Sequence, residues 1–282
     1  MEPVDVVEQA LAVAKALTAE SAFSHVTAAR LHRLPLPAPL EADTRLHVIT
    51  QTSHGQVRRP DVVGHRGLSC RQIDVVDGVR VTSPADTWVD LGQLVRSHRL
   101  TTDDLVMVGD AVVARASSDW REHGWGSSSA IDASGAAGVA GLARALELRI
   151  RPRGKRLLAR ALPLIRPGVR SPMESHARLM FVSAGFPEPA VNQAVYFADG
   201  GWLLEGDLVW EEQRLIAEYQ GAHHADRRQL SVDRSRRSLA EDEGWRVLEI
   251  FAEDVFQAHR RAILLRRAAV LLGIDPANLA LW

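Results

Sequence analysis

The stretch from Trp202 to Gln220 has the sequence WLLEGDLVWEEQRLIAEYQ. Two apolar runs, 202–210 and 214–220, flank a short polar turn at 211–213, and this pattern predicts a β-hairpin. With a two-residue turn at 212–213, Asp207 lies directly opposite Glu218. Cross-strand neighbours on one face of a sheet have Cβ atoms about 5 Å apart. We therefore expect two carboxylates to share one face of the hairpin.

Two close carboxylates in an apolar hairpin repel each other unless one takes up a proton or a cation lies between them. Mg²⁺ is the natural candidate, because it prefers carboxylate oxygens together with water and phosphate oxygens. Gln220 lies two residues beyond Glu218 and so on the same face. Glu212-Gln213 is not a favoured two-residue turn, and a slip of one residue would place the two acids on opposite faces. The metal site therefore depends on this register.

A helix start precedes the hairpin at Ser171-Pro172-Met173-Glu174. Glu174 has a structural interpretation, because S-x-x-E forms a capping box. The functional alternative is a carboxylate aimed at the metal site from the first helix. Gly185 is a typical helix-ending residue. The predicted apolar face consists of Met173, Ala177, Met180, Phe181 and Ala184.

Motifs in this region resemble the uncharacterised endonuclease-like domain related to very-short-patch-repair (Vsr) nucleases, which has the PD-(D/E)XK restriction-endonuclease core. In chain order they are SPMES-x-x-R, GDLVW, AEYQG-x-HH, VDRSRR and GWRVLEI, between about Ser171 and Phe256. The resemblance implies a mixed sheet flanked by helices. It also implies site residues: the core acids are Glu174, Asp207 and Glu218, Gln220 occupies the place of the motif lysine, and Gly206 that of the motif proline.

The catalytic lysine of that family is missing, since no lysine occurs after Lys155. His224, or His223 beside it, could assist instead as a base or charge stabiliser. Alternatively, the two histidines cap a helix that begins near 225. The resemblance also places Asp233 near the site, with Arg236 or Arg237 close by. Their spacing allows an ordinary helix salt bridge for one arginine, and the other could contact phosphate.

The N-terminal part has a second resemblance. The phrases FSHVTAARLHRLPLP, RLHVIT and VTSPADTWVDL, between about Ser24 and Arg115, are similar to AbiEi-type antitoxins of type IV toxin–antitoxin systems. Such proteins usually begin with a DNA-reading winged helix-turn-helix, which we expect to be truncated or lost here because little chain precedes Phe23. His25 is interpreted as a packing or capping histidine rather than a catalytic one. The expected elements include helices at 26–34, 84–95 and 102–115 and a strand at 46–50.

A length of 282 residues predicts two domains. We expect an α+β or α/β protein with a mixed α/β antitoxin-like domain at 1–115, a linker and basic helical segment at 116–170, and the endonuclease-like domain at 171–282. The basic segment, which includes Lys155 and Arg156, is either a phosphate-binding surface or a solvated arginine-rich helix. Trp202, Trp210 and Trp245 are predicted to be core residues.

Composition narrows the class of protein. An apolar fraction of 46% with 24% charged residues is typical of globular proteins. Cys70 is the only cysteine, which excludes an internal disulfide and a multi-cysteine zinc site. The chain has no apolar run of the roughly 18 residues that a membrane span needs, and Glu2 and Asp5 stand where a signal peptide is cationic. These features predict a cytoplasmic protein without a membrane partner.

Two functions follow as expectations. The first is a DNA endonuclease that uses Mg²⁺ or Mn²⁺ held by Asp207 and Glu218, with Glu174 in or beside the metal's ligand shell. The second is a non-cleaving nucleic-acid-binding or antitoxin-type regulator with a degenerate nuclease fold. DNA is the expected partner in both. A protein partner from a toxin–antitoxin or defence operon is a third possibility that the sequence neither supports nor excludes.

Overall fold

The computed structural model describes residues 6–53, 55–115, 138–221 and 236–280. The chain divides into two compact units, Met1–Gly168 and Val169–Trp282. Each unit contains one mixed β-sheet flanked by helices, so the α+β class expected from the sequence is confirmed. Of the described part of the expected basic segment, residues 138–168 belong to the first unit and residues 169–170 to the second.

The first unit is built on a five-stranded sheet of order β3-β2-β1-β5-β4. The central strand β1 has only three residues, runs antiparallel to β2 and pairs in parallel with β5. Such a short strand has no alternation to detect, which is why the sequence did not predict it. The elements are α1 (Val6–Ala14), β1 (Ser21–Phe23), α2 (His25–Leu31), α3 (Ala38–Glu41), β2 (Leu46–Thr50), β3 (Val62–Arg66), β4 (Ile73–Val76), β5 (Val79–Thr82), α4 (Pro84–Leu91), α5 (Val95–His98), α6 (Thr102–Arg115), α7 (Val139–Glu147) and α8 (Lys155–Ala161).

Strand β2 and helix α6 have the bounds that the sequence predicts. Helix α4 begins as predicted, because the Ser83 hydroxyl accepts the N–H of Asp86 at 3.2 Å. It ends at Leu91 rather than continuing to 95, since a 3₁₀ turn follows at Gly92–Leu94. An added Cβ at Gly92 would lie 2.6 Å from a methyl carbon of Leu158, so the close packing of α8 explains the glycine.

The second unit contains a four-stranded sheet of order β6-β7-β8-β9. The first three strands are antiparallel, and β9 is parallel to β8. One face packs against α9 and α12, and the other carries a smaller cluster that includes Ala240 and Trp245. The elements are α9 (Pro172–Ala184), β6 (Ala190–Tyr196), β7 (Trp202–Trp210), β8 (Leu215–Tyr219), α10 (described at 236–242), β9 (Arg246–Ile250), α11 (Ala252–Phe256) and α12 (Ala258–Leu272).

The hairpin formed by β7 and β8 has the predicted register. Leu208 pairs with Ala217 and Trp210 with Leu215, which is the alignment that sets Asp207 opposite Glu218. The two-residue turn was wrong: the connection spans four residues, 211–214, because Arg214 takes a left-handed conformation with φ 47°. The pairing is the same because the longer turn adds one residue at each side.

No helix within the described ranges has the length and apolar character needed to cross a bilayer. The longest of these helices, α6 and α12, have 14 and 15 residues. The predicted linker at 116–138 lies outside the described residues except for Gly138.

Candidate carboxylate site

The hairpin and the first turn of α9 bring the predicted acids together. Asp207 lies on β7 and accepts the N–H of Tyr219 at Oδ2, at 2.8 Å. Burial, followed by the nearby carboxylates of Glu174, Glu218 and Glu205, raises the pKa of Asp207 to about 7, although the N–H of Tyr219 lowers it. The helix and the two strands therefore supply carboxylates to a single electrostatic environment.

Glu174 is fixed by two donors. Its Oε2 accepts the N–H of Arg170 at 2.9 Å and the side-chain amide of Asn192 on β6 at 2.6 Å. The serine half of the predicted capping box is present, because the Ser171 hydroxyl accepts the N–H of Glu174 at 3.2 Å. With only 8% of its surface exposed, Glu174 is a positioned carboxylate close enough to Asp207 to raise the pKa of that residue. Sequence analysis missed Asn192 because it did not predict β6.

Glu218 is paired with an arginine. Arg237 on α10 donates to Glu218 at 2.9 Å and to Glu249 at 2.7 Å. Glu218 and Glu249 are direct partners in the parallel β8–β9 ladder, where like charges destabilise the pairing. Arg237 offsets that repulsion. Of the two arginines for which a salt bridge or a phosphate contact was expected, Arg237 therefore forms ion pairs with acids of β8 and β9.

The remaining predicted site residues are only partly covered by the described residues. Gln220 is half-buried and its N–H donates to the Ile250 carbonyl at 2.8 Å, which continues the β8–β9 pairing. His223, His224 and Asp233 lie outside the described residues. At Gly206, an added Cβ would lie 2.7 Å from the Cγ2 of Ile216, so side-chain packing leaves little room at the position of the motif proline.

Arg236 stacks on an aromatic ring at the first residue of β7. Its guanidinium carbon lies 4.9 Å from the centre of the Trp202 ring, an exposed cation–π contact. Trp202 is 49% exposed, so its prediction as a core residue was wrong. Trp210 and Trp245 are buried as predicted.

Some arginines of the basic segment form ion pairs with acidic residues of their own unit. Arg149 is buried and donates to Asp86 at 2.6 Å, and Arg170 pairs with Glu205. Lys155 and Arg156 are exposed at the start of α8, while Leu158 and Ala161 of the same helix are buried. The cations available to a ligand are therefore fewer than the composition of the segment indicates.

Metal-ligand geometry differs between the two units. Among residues 6–53, 55–115, 138–221 and 236–280, a single group of three or more His, Cys, Asp or Glu side chains has ligand atoms all within 4.8 Å of one another: His25, His47 and His65 in the first unit. Glu174, Asp207 and Glu218 form no such group within those ranges. Side-chain movement is therefore needed to bring these acids to one ion.

The chain is similar to two uncharacterised proteins from two strains of Mycobacterium tuberculosis. Each is 32% identical over 132 residues, which is 45% of this chain and 47% of the relative. The chain thus spans about half the length of the curated relatives it matches. No family model matches the chain, and no solved structure matches it.

Proposed function

We propose that the second unit is a metal-dependent DNA endonuclease that hydrolyses a phosphodiester bond. The observation that carries this proposal is the environment of Asp207, whose pKa of about 7 results from burial and then from Glu174 and Glu218 nearby. A bound cation relieves this penalty. Hard carboxylate oxygens suit Mg²⁺ or Mn²⁺, so Asp207 and Glu218 would hold the ion and Glu174 would lie beside it.

The protein's own side chains have distinct parts in this proposal. Bound Mg²⁺ would supply charge stabilisation at the phosphate and lower the pKa of a coordinated water. Asn192 and the Arg170 N–H hold the Glu174 carboxylate in place. Gln220 can orient a water through its amide but cannot take up a proton. The base would therefore be another group, and the resemblance favours His224.

The test is nicking of supercoiled plasmid DNA with Mg²⁺ or Mn²⁺. Asp207→Asn and Glu218→Gln are each expected to lower the rate by about 100-fold or more, equivalent to about 2.7 kcal/mol of barrier. Glu212→Gln is the matched control, because this acid lies exposed in the hairpin turn. Equal rates in the wild type and the Asp207→Asn/Glu218→Gln double variant would contradict the proposal.

A second candidate function is a non-cleaving nucleic-acid-binding or antitoxin-type regulator. Two observations favour it. The Glu218 carboxylate is already paired with the Arg237 guanidinium, and Gln220 stands in the place of the motif lysine. It predicts DNA binding that weakens steeply with salt, with no turnover. Calorimetry distinguishes the two, because this function requires no affinity of the wild type for Mg²⁺ or Mn²⁺. A protein partner from a toxin–antitoxin operon belongs to this second function. Either function would operate in the cytoplasm.

A further inference from the structure

Three histidines from separate elements meet in the first unit. His25 begins α2, His47 lies on β2 and His65 on the parallel neighbour β3. The rings of His25 and His65 stack with centroids 3.6 Å apart, and Nδ1 of His47 lies 3.0 Å from Nε2 of His65. His25 and His47 are fully buried and His65 is half-buried. His25 was predicted as a single packing or capping histidine, and in the structure it belongs to a cluster of three histidines.

The cluster is built to keep its imidazoles neutral. Burial, then the neighbouring His65 and His47, lower the pKa of His25 well below its usual value, against a small opposing effect of Gln93. Burial is also the main reason that the pKa of His47 is lowered and that of His65 falls to about 3. The neutral imidazole is the form that coordinates a metal ion.

Groups outside the cluster orient its rings. Nε2 of His47 faces Oδ2 of Asp43 at 3.3 Å, and Arg45 holds that carboxylate with two contacts of 2.8 Å. Nδ1 of His25 lies 2.9 Å from the Ser24 hydroxyl. A carboxylate behind a ligating histidine is the usual way in which a metal site fixes the ring and raises its basicity. The outer nitrogens of two rings are thus engaged, and the inner ones face the cluster.

His25 is held in an unfavourable state for a residue with only a packing role. Its Nε2 is buried and has no hydrogen bond of normal geometry within the described part of the chain, although Gln93 lies close enough to raise the pKa of His25. Its backbone φ is 51°, in the left-handed region, which histidine enters more readily than most residues but still at a cost. A ligand on Nε2 would compensate for the missing hydrogen bond.

Local charge is compatible with a dication. Arg71 lies near His25 and His65 and disfavours positive charge there. Its guanidinium is paired with the buried carboxylate of Asp90 at 2.6 Å, which offsets much of that effect. Asp43 supplies negative charge on the other side of the cluster.

We propose that His25, His47 and His65 form a binding site for a transition-metal dication, with Zn²⁺ as the best match. Imidazole nitrogens select Zn²⁺ and similar ions over Mg²⁺, so this site and the carboxylate site would take different metals. Zn–N bonds of about 2.0–2.1 Å require ligand atoms roughly 3.3 Å apart in a tetrahedral site. The three nitrogens lie within 4.8 Å of one another, so binding requires His25 and His65 to turn out of their stacked arrangement to reach that spacing.

The experiment is titration of the metal-free, tag-free full-length protein with Zn²⁺ by calorimetry, and with Co²⁺ by visible absorption. The expected result is about one high-affinity ion per chain and Co²⁺ d–d bands of a low-coordinate site. His65→Gln is expected to weaken binding by about 100-fold or more, and Asp43→Asn by about 10- to 100-fold. Zn²⁺ binding weaker than about 100 µM in folded wild type would overturn the proposal.

Two controls isolate the cluster. His32→Gln removes another buried histidine of the same unit, whose Nε2 lies 2.7 Å from the Thr82 carbonyl, and should leave binding unchanged. Asp207→Asn should also retain Zn²⁺ affinity, because the carboxylate site takes no part. Equal affinities of His65→Gln and His32→Gln would contradict the assignment.

Circular dichroism shows whether the His65→Gln variant folds. If it does not, X-ray absorption at the zinc edge of the wild type provides the test without a mutation. Three imidazole scatterers would support the site, and one or none would overturn it.

Discussion

Burial of Asp207 favours its protonated form, whereas the proposed metal site requires the ionised carboxylate. Its pKa is raised from 3.8 to about 7, so the folded protein binds a proton that the unfolded chain releases. This contribution to stability is complete below about pH 4 and is lost as the pH rises through about 7. In metal-free buffer, we expect Asp207→Asn to reduce the fall in the free energy of unfolding between pH 4.5 and 8 by roughly 3 kcal/mol.

Urea denaturation of the wild type and the Asp207→Asn variant with a chelator present measures that difference. Glu212→Gln serves again as the control, since this acid lies exposed in the hairpin turn. Parallel stability curves for the wild type and the Asp207→Asn variant would show that Asp207 is ionised in the folded protein near neutral pH.

The sequence predicts some site residues better than others for a physical reason. Asp207 and Glu218 follow from the two-residue period of one hairpin, in which apolar neighbours determine the face. Arg237 on α10 was expected near the site from the resemblance alone, whereas Asn192 reaches the site from β6, and such a long-range contact has no local pattern. The same holds for His47 and His65, which the parallel pairing of β2 and β3 brings together.

Helix α9 carries Glu174, and its two ends determine how well that residue is held. The Ser171 hydroxyl caps the first turn, and Gly185 ends the helix with φ 95°. Ser171→Ala is expected to lower the free energy of unfolding by about 1 kcal/mol, and Gly185→Ala by about 1 kcal/mol. Ser183→Ala is the control, because this serine is exposed near the end of the same helix.

Urea unfolding followed by tryptophan fluorescence suits this measurement, since Trp210 packs edge-on against Phe181 of α9. Equal stability of Ser171→Ala and Ser183→Ala would contradict the importance of the cap. Loss of nicking in Ser171→Ala without loss of fold would further indicate that the cap positions Glu174.

Elements with strong periodicity or clear end signals are the ones that the sequence predicts with correct bounds. Strands β2 and β7 and helix α6 have such patterns, and α9 has both a serine cap and a terminal glycine. Strand β6 was missed because most of its residues are only partly buried, which removes the alternation.

At the scale of the whole molecule, each unit has its own core and its own candidate ion site. If both proposed ion sites exist, Zn²⁺ slows amide exchange in peptides covering residues 25–66. Mg²⁺ then slows amide exchange in peptides covering residues 170–220. Bound ligand stabilises the state that binds it, so saturating ion adds about 2.7 kcal/mol at 100 times the dissociation constant. Hydrogen–deuterium exchange with mass spectrometry reads both regions in one experiment.

Variants assign each response to its site. His65→Gln should remove the Zn²⁺ response and keep the Mg²⁺ response, and Asp207→Asn should do the reverse. Protection by Zn²⁺ that survives in the His65→Gln variant would place that ion elsewhere.

The parallel pairing of β8 with β9 also has a consequence for the order of folding. The hairpin closes over four residues, whereas β9 joins only after the chain has crossed from 220 to 245. Short loops close with less loss of entropy and in about microseconds, so we expect Asp207 and Glu218 to meet before β9 and Arg237 arrive. The acids therefore repel each other in the nascent hairpin before their neutralising arginine is in place. We therefore expect the repulsion between these carboxylates to slow folding as well as to lower the stability of the folded protein.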